Sequence, residues 1–353
     1  MKPSITEIDF DKIDDESIKQ ICFLIRTNYG EGYGLDLTNN PTTSLERKLK
    51  EHDTEIYKRR IWVARTDRII GYAQYSIPKI DNKHIASCHI YVLKEFRNQG
   101  LGKQLLREFS NNIMEEANII QLYTETKDIQ LPSSIDQYLI EKGMKLKFTH
   151  RNSSSNLTGF NTLEVEKIVN ELKEKSHKKG YSVIFVKNGN YEDISEITFD
   201  AFAKMRQDIW NDMPREDGTW EDEIYDKDVH QGIYKQVEFG YESWMFLAIH
   251  EETGDIAGIT ETWFNPDLPQ FAFQDDTGVV KQHRGNGLGL MLKYLMLSKM
   301  LSHDRRKDLV YWTTGNADSN EHMLKINDVL KYKPEYYELI YEISRDEFSN
   351  LLS

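Results

Sequence analysis

Apolar and polar positions along this chain repeat in two matching blocks. In the first, Ile61-Trp62-Val63-Ala64 runs through the polar turn Arg65-Thr66-Asp67-Arg68 into Ile69-Ile70-Gly71-Tyr72-Ala73. In the second, Met245-Phe246-Leu247-Ala248 runs through a slightly longer turn, His250 to Asp255, into Ile256-Ala257-Gly258-Ile259-Thr260. Apolar runs of strand length on either side of a short polar turn predict a β-hairpin in each block. A further strand follows each hairpin and ends in a glycine-rich turn. The first copy goes from Cys88 to Val92 and on to Arg97-Asn98-Gln99-Gly100-Leu101-Gly102; the second goes from Asp276 to Val280 and on to Arg284-Gly285-Asn286-Gly287-Leu288-Gly289. Gly71 and Gly258, Arg97 and Arg284, Gly100 and Gly287, and Gly102 and Gly289 are each 187 residues apart. Four pairs at one offset mark an internal duplication.

After each glycine-rich turn the period changes to that of a helix. Leu101, Leu105, Phe109 and Ile113 recur every four residues, and Leu288, Leu292, Leu295, Met296 and Met300 form the second stripe. Both predict amphipathic helices with one face on a core. The polar stretch Arg151 to Asn156, a helix-like segment from Leu163 to Lys175 and a strand from Tyr181 to Val186 divide the chain. They predict a first domain over 1–155, a linker with a helix over 156–180 and a second domain over 181–353, as 353 residues would accommodate. The run Tyr29-Gly30-Glu31-Gly32-Tyr33-Gly34 reads as a flexible loop beside the first cleft.

Composition excludes several classes. The two cysteines, Cys22 and Cys88, sit among apolar neighbours without metal or disulfide spacing, so both are expected buried. No His/Cys/Asp cluster has metal-ligand spacing, and no metal is expected. A net charge of −13 argues against a nucleic-acid partner and suits a cationic small substrate. No apolar run approaches the roughly 20 residues that cross a bilayer, and the opening lacks a signal-peptide core. A cytoplasmic protein with no membrane partner is expected.

The shared Arg-x-x-Gly-x-Gly turn sits between a strand and a helix. There, unpaired backbone N–H groups and the positive end of the helix dipole favour a phosphate group, and glycine lets it approach the backbone. A P-loop is excluded because Gln104 follows Gly102-Lys103. A dinucleotide fingerprint is excluded because Leu290 breaks the Gly-x-Gly-x-x-Gly spacing and the turn follows a hairpin.

Hairpin, strand, Arg-x-x-Gly-x-Gly and helix together resemble the coenzyme A signature of the GNAT superfamily of acyl-CoA N-acyltransferases. The second half extends the likeness through Thr277 to Lys293, Thr313 to Asn320 and Met323 to Tyr332, which looks like tandem-domain GNAT proteins similar in layout to mycothiol synthase. The resemblance implies an α+β fold in each half: a mixed, mostly antiparallel central sheet flanked by helices, its fourth and fifth strands splayed around CoA. It implies an N-acyltransferase, and specifically an N-acetyltransferase moving acetyl from acetyl-CoA to a primary amine of a small molecule or peptide, as a monomer or homodimer. The alternative is an acyl-CoA-binding or sensing protein without catalysis. Carried over, the backbone of Val92 and Leu93 or of Val279 and Val280 meets pantetheine. Arg97 to Gly102 and Arg284 to Gly289 meet the pyrophosphate, and Asn316 and Asn320 join the second copy's cofactor contacts.

Acyl transfer to an amine needs a base, and Glu261, Asp275 and Asp276 are the candidates. The first copy has Gln74 and His89 where the second has Glu261 and Asp276, so the second domain is expected to be the catalytic one. Asn327 and Leu139 fall where family members often place the tyrosine that protonates the CoA thiolate, so that another group such as Tyr311, a water or no protein acid serves the thiolate, or this copy is slow. The acidic segment from Asp208 to Asp228 interleaves Trp210, Trp220 and Tyr225, a composition suited to a cationic acceptor.

Overall fold

The computed structural model describes residues 2–352 apart from 52–53, 114–116, 132, 195–196 and 215–218. In chain order the first elements are β1 (Ser4–Glu7), α1 (Asp15–Tyr33), α2 (Thr43–Lys50), β2 (Tyr57–Arg65), β3 (Ile69–Pro78), β4 (Ile85–Val92), α3 (Leu101–Ile113), β5 (Ile119–Thr126), α4 (Ser134–Glu141) and β6 (Lys145–Asn156). Next come α5 (Thr162–His177), β7 (Tyr181–Lys187), α6 (Phe199–Asn211), α7 (Lys227–Tyr234), β8 (Glu242–His250), β9 (Ile256–Phe264) and β10 (Phe271–Val279). The last are α8 (Leu288–Ser302), β11 (Tyr311–Ala317), α9 (Glu321–Val329), β12 (Lys333–Ser344) and α10 (Arg345–Leu352). The chain forms two compact units, each a mixed and mostly antiparallel sheet with flanking helices.

The first unit holds the chain up to Arg151, Thr219 to Glu221, and everything from Glu335 onward. Its strand order is β1-β2-β3-β4-β5-β12. All pairs are antiparallel except β4 with β5. The second unit runs β11-β10-β9-β8-β7, and only β10 with β11 is parallel. The duplication extends to defects in the ladder. β2–β3 slips register at Ala64/Arg65, and β8–β9 slips at the matching Ala248/Ile249. Gly71 and Gly258 are matched for a close approach: a Cβ would lie 2.9 Å from Tyr91 O in one and 2.7 Å from Gly278 O in the other.

The division at 155 and 181 differs from the one the structure adopts. Tyr337 to Ser344 pair in antiparallel register with Thr126 to Ile119, and Leu339, Tyr341, Ile343 and Phe348 join the first unit's core. A terminal strand has the same alternation whichever sheet it joins, so local pattern could not assign it. α5 is no linker either: Val165 and Val169 pack in the second core with Leu288, Leu292 and Met296 of α8. α8 is consequently buried on more than one face, Met291, Tyr294, Leu297 and Leu301 included, where a single stripe was expected. Tyr29 to Tyr33, expected as a loop, form the last turn of α1, which Gly34 ends at φ 67°.

One feature of each sheet sets up the site. β4 and β5 pair from Ile85/Ile119 to Cys88/Leu122 and then part, although β4 continues to Val92 and β5 to Thr126. β10 and β11 pair from Phe271/Tyr311 to Phe273/Thr313 and part likewise. Each unit thus contains a fork between its two parallel strands.

Because Leu339 is fully buried against β5, Leu339→Ala should destabilise the first unit by about 2–5 kcal/mol. In native-state hydrogen exchange the amides of 119–126 should lose protection while those of β8 and β9 keep theirs. Unchanged exchange along β5 would show that the last strand does not support this sheet.

Candidate functional site

The fork leaves one edge of the fourth strand without a partner. In the first unit Leu93 N–H bonds Ile70 O at 3.0 Å, and in the second Val280 N–H bonds Ala257 O at 2.9 Å. Alternation along the strand then turns Val92 and Val279 toward the fork. Of the backbone expected to meet pantetheine, Val92 and Val279 face the opening, whereas the amides of Leu93 and Val280 are committed to the hairpins.

Each fork ends at its glycine-rich turn. Asn98 and Gly285 take matching left-handed conformations (φ 61° and 78°), as do Gly100 and Gly287 (φ 79° and 80°). Asparagine is among the few non-glycine residues that enter this region readily, which is why the first copy tolerates Asn98. The first bonds of the following helices are Gln104 N–H to Gly100 O and Met291 N–H to Gly287 O, both 3.1 Å. The amides of 101–103 and 288–290 precede them and present donors at the positive helix end. The arginines brace these turns. Arg97 Nε bonds Val92 O at 2.8 Å and its Nη2 bonds Glu31 at 2.6 Å. Arg284 Nε bonds Val279 O at 3.0 Å and its Nη2 pairs with Asp212. Asn286 Nδ2 ties its turn to Tyr181 OH at 3.1 Å and His283 O at 3.0 Å.

In the first unit the turn opens onto a cavity of about 870 Å³, lined by the ends of β4 and β5, the start of α3 and α4, and Glu338. Such a volume suits a ligand of cofactor size. Glu125 and Glu338 stand directly opposite each other across β5 and β12, an unfavourable pairing of like charges. Partial desolvation, then the charge of Glu31, raises the Glu125 carboxyl to about 7; desolvation, then Glu125, raises Glu338 to about 7. Nothing in the spacing of the sequence pairs these two.

The second unit differs at the fork's origin. β3–β4 register is unbroken and sets Gln74 against His89, but β9–β10 slips between Gln274 and Thr277. The bulge puts Asp275 and Asp276 opposite Glu261 and bends the strand. Gln274 Nε2 holds it, lying 2.5 Å from Glu261 O, 3.3 Å from Asp275 O and 3.2 Å from Asp276 O. Arg206, 1% exposed on α6, bonds both Glu261 and Asp276. Burial disfavours its charge, but Glu261, Tyr234, Tyr225 and Asp276 together outweigh that and raise its pKa.

The three carboxylates are not equivalent. Glu261 is fully buried and accepts from Arg206, from Tyr234 OH at 2.8 Å and from Ser243 Oγ at 2.5 Å. Both of its oxygens are thus occupied by donors. Asp276 accepts from Arg206 and from Trp210 Nε1 through one oxygen, each at 2.6 Å. Asp275 opens to solvent on one side, and its carboxylate accepts from Trp263 Nε1 at 3.2 Å. The protein crowding its other sides, and then the charges of Asp276 and Glu261, raise its pKa. Trp210, Tyr225, His230, Tyr234 and Trp263 form a chain of ring contacts around the cluster. Trp220 belongs to the first unit.

Tyr311 stands at the joined end of the second fork, stacked on Phe271 with ring centroids 5.2 Å apart, whereas Asn316 lies beyond the point of divergence. Asn320 caps α9 by accepting from Met323 N–H at 3.1 Å. Sequence reasoning missed Arg206. The signal was a lone cation between Phe202, Met205 and Ile209 on the buried face of α6.

Comparison with known proteins agrees with this architecture. Residues 57–133 match the acetyltransferase (GNAT) domain family. A tandem GNAT protein from the clavulanic acid biosynthesis pathway superposes with a TM-score of 0.72 at 18% identity, covering 98% of this chain and 99% of that one. A GCN5-related N-acetyltransferase from Sphaerobacter thermophilus superposes with a TM-score of 0.61 at 13% identity, over 97% and 96%. No curated protein matches in sequence. The chain thus has the fold of tandem GNAT proteins along its length, and residues 57–133 of its first half match the acetyltransferase domain family. Among the described residues no helix is long and apolar enough to cross a membrane.

The opposed carboxyls of the first cavity make a pH prediction. An acid whose folded pKa is raised contributes stability below its unfolded pKa that is lost as pH rises through the folded value. Here the window runs from 4.5 to about 7. Glu338→Gln should therefore melt close to wild type near the bottom of that window and at a higher temperature above its top. Parallel melting curves across the window would show that the pair carries no strain.

Proposed function

We propose that the chain is an acyl-CoA-dependent N-acyltransferase whose second unit transfers an acyl group, acetyl from acetyl-CoA, to a primary amine that is cationic in solution. The carrying observation is the bulge at Asp275 and Asp276, which sets carboxylates at the mouth of a fork that ends in a phosphate-type turn. The first unit, with its own fork, turn and cavity, serves as a second acyl-CoA-binding site.

An amine must lose a proton before it can attack a thioester. The acidic cluster and the faces of Trp210, Tyr225 and Trp263 attract the ammonium form. Asp275 is the proposed base: its carboxylate is open, and a raised pKa brings its proton affinity toward that of an amine. Asp276, through its second oxygen, orients the amine, and Glu261 holds Arg206 in place. Asp275 takes one proton from the ammonium and passes it to the solvent it faces; as the free amine then attacks, the C–N bond forms and its second proton passes to Asp275. Backbone N–H groups at the open edge of β10 stabilise the oxyanion, and the C–S bond then breaks to release CoA as thiolate.

Three features support catalysis in the second unit: the bulge, the carboxylates and the aromatic surround. The first unit has neutral Gln74 and His89 at the matching register and an unbroken ladder. Assayed with acetyl-CoA and a panel of diamines, amino sugars and peptides, wild type should acylate the cationic acceptors. Its kcat should rise with pH through the titration of Asp275. Asp275→Asn should lose that limb and about 10²-fold or more in kcat. Tight CoA binding without turnover across the panel would favour the non-catalytic acyl-CoA-binding alternative.

A further inference from the structure

The second unit buries an amine that no carboxylate pairs with among the described residues. Lys293 is 1% exposed and lies one helical turn beyond Gly289, on the face of α8 that meets α9. Its Nζ donates to Asn327 Oδ1 at 2.6 Å, with the rings of Tyr332 and Trp312 at 4.9 and 5.5 Å. Asn327, itself 3% exposed, donates from Nδ2 to Asn316 Oδ1 at 2.6 Å. Asn316 is half-buried on β11 past the divergence from β10. The run thus passes from a sealed interior to the fork.

Donor and acceptor chemistry gives the run a direction. An ammonium offers only donors, so Asn327 must turn its oxygen to Lys293 and its NH₂ outward. Asn316 must then accept from Asn327, which leaves its own NH₂ directed away from it. Every link donates toward the fork, and the charge behind them polarises the series. Burying an amine carries a desolvation cost that a methionine of similar shape avoids. Burial also lowers the pKa of Lys293 to about 7.

Resting on the acyl-transfer reading of this fork, we propose that Lys293 is a positioning residue that orients Asn327 and Asn316 so that their N–H donors stabilise the thiolate leaving from acyl-CoA. The C–S electron pair stays on sulfur as the bond breaks, and the proton released by the amine goes to the carboxylate base. Lys293 donates no proton to the thiolate; it fixes the direction of the amides.

The test uses the full chain carrying Gly100→Glu, so that CoA binds in the second unit alone. Thiolate absorbance of bound CoA is followed against pH, and CoA affinity is measured at low pH, where the ligand is a thiol. The background protein should lower the thiol pKa by about one unit or more from that of free CoA in the same buffer. Lys293→Met should abolish the shift while changing low-pH affinity less than about threefold, since it does not touch the phosphate-binding turn, and Asn316→Leu should abolish the shift as well. The double variant should add nothing further, as expected of one coupled run. In turnover, Lys293→Met should lower kcat about tenfold or more and leave KM for acyl-CoA within about twofold. CoA bound with an unshifted thiol in the background protein would overturn this inference and leave the acyltransferase reading standing. No CoA binding at the second unit would overturn both. A shift that survives Lys293→Met in a protein whose circular dichroism and melting match the background would assign Lys293 to packing alone.

Discussion

Two parallel strands that pair for three or four residues and then diverge are the constraint on which the rest of each unit depends. A strand edge without a partner exposes backbone donors and acceptors that must meet water, a side chain or a ligand. Here the edge is turned inward between helices, and each unit handles it in the same manner. An arginine from the following turn takes the last carbonyl of the strand, Val92 O or Val279 O, and a helix N-terminus closes the wide end. The matched left-handed turns put the donors of both helices at that end. Fork and turn are one device, because the turn can approach a phosphate only where the strands have already separated.

On that shared device the two units have diverged electrostatically. The first keeps a regular ladder and a deep cavity flanked by Glu125 and Glu338. The second interrupts its ladder with two aspartates and holds three carboxylates around one buried guanidinium. A single cation among three acids leaves the site acidic, and the surrounding rings add faces that favour cations. The bulge itself depends on Gln274, whose amide reaches the carbonyls that the slipped register frees. These features underlie the chemistry proposed for the second unit and the binding role proposed for the first.

Features encoded by neighbouring residues were legible in the sequence. The hairpins followed from apolar runs about short polar turns, and the matched left-handed turns from Arg-x-x-Gly-x-Gly at one offset in both copies. Those are local, and local patterns survive any tertiary arrangement. What escaped depends on partners far apart in the chain. β12 alternates as any strand would, and only its pairing with β5 assigns it to the first sheet. Tyr29 to Gly34 looked like a loop because of its glycines, yet a Cβ on Gly32 would lie 2.9 Å from the Tyr336 ring, so glycine is required there for packing on a helix. Glu261 looked available until Arg206, Tyr234 and Ser243 were seen to surround it, each supplied by a different element. Lys293 read as one polar position on an apolar helix, and its partner Asn327 lies 34 residues on.

The central claim is that both forks are built to hold acyl-CoA and that the second is where its acyl group is transferred. Calorimetric titration of acetyl-CoA into wild type, Gly100→Glu and Gly287→Glu tests the first half of that claim at its source. Both glycines adopt left-handed backbone where a glutamate is strained and its carboxylate repels the phosphates. Wild type should bind two equivalents and each variant one, with N-acylation lost only in Gly287→Glu. Undiminished stoichiometry in both variants, or no binding to wild type, would contradict the account.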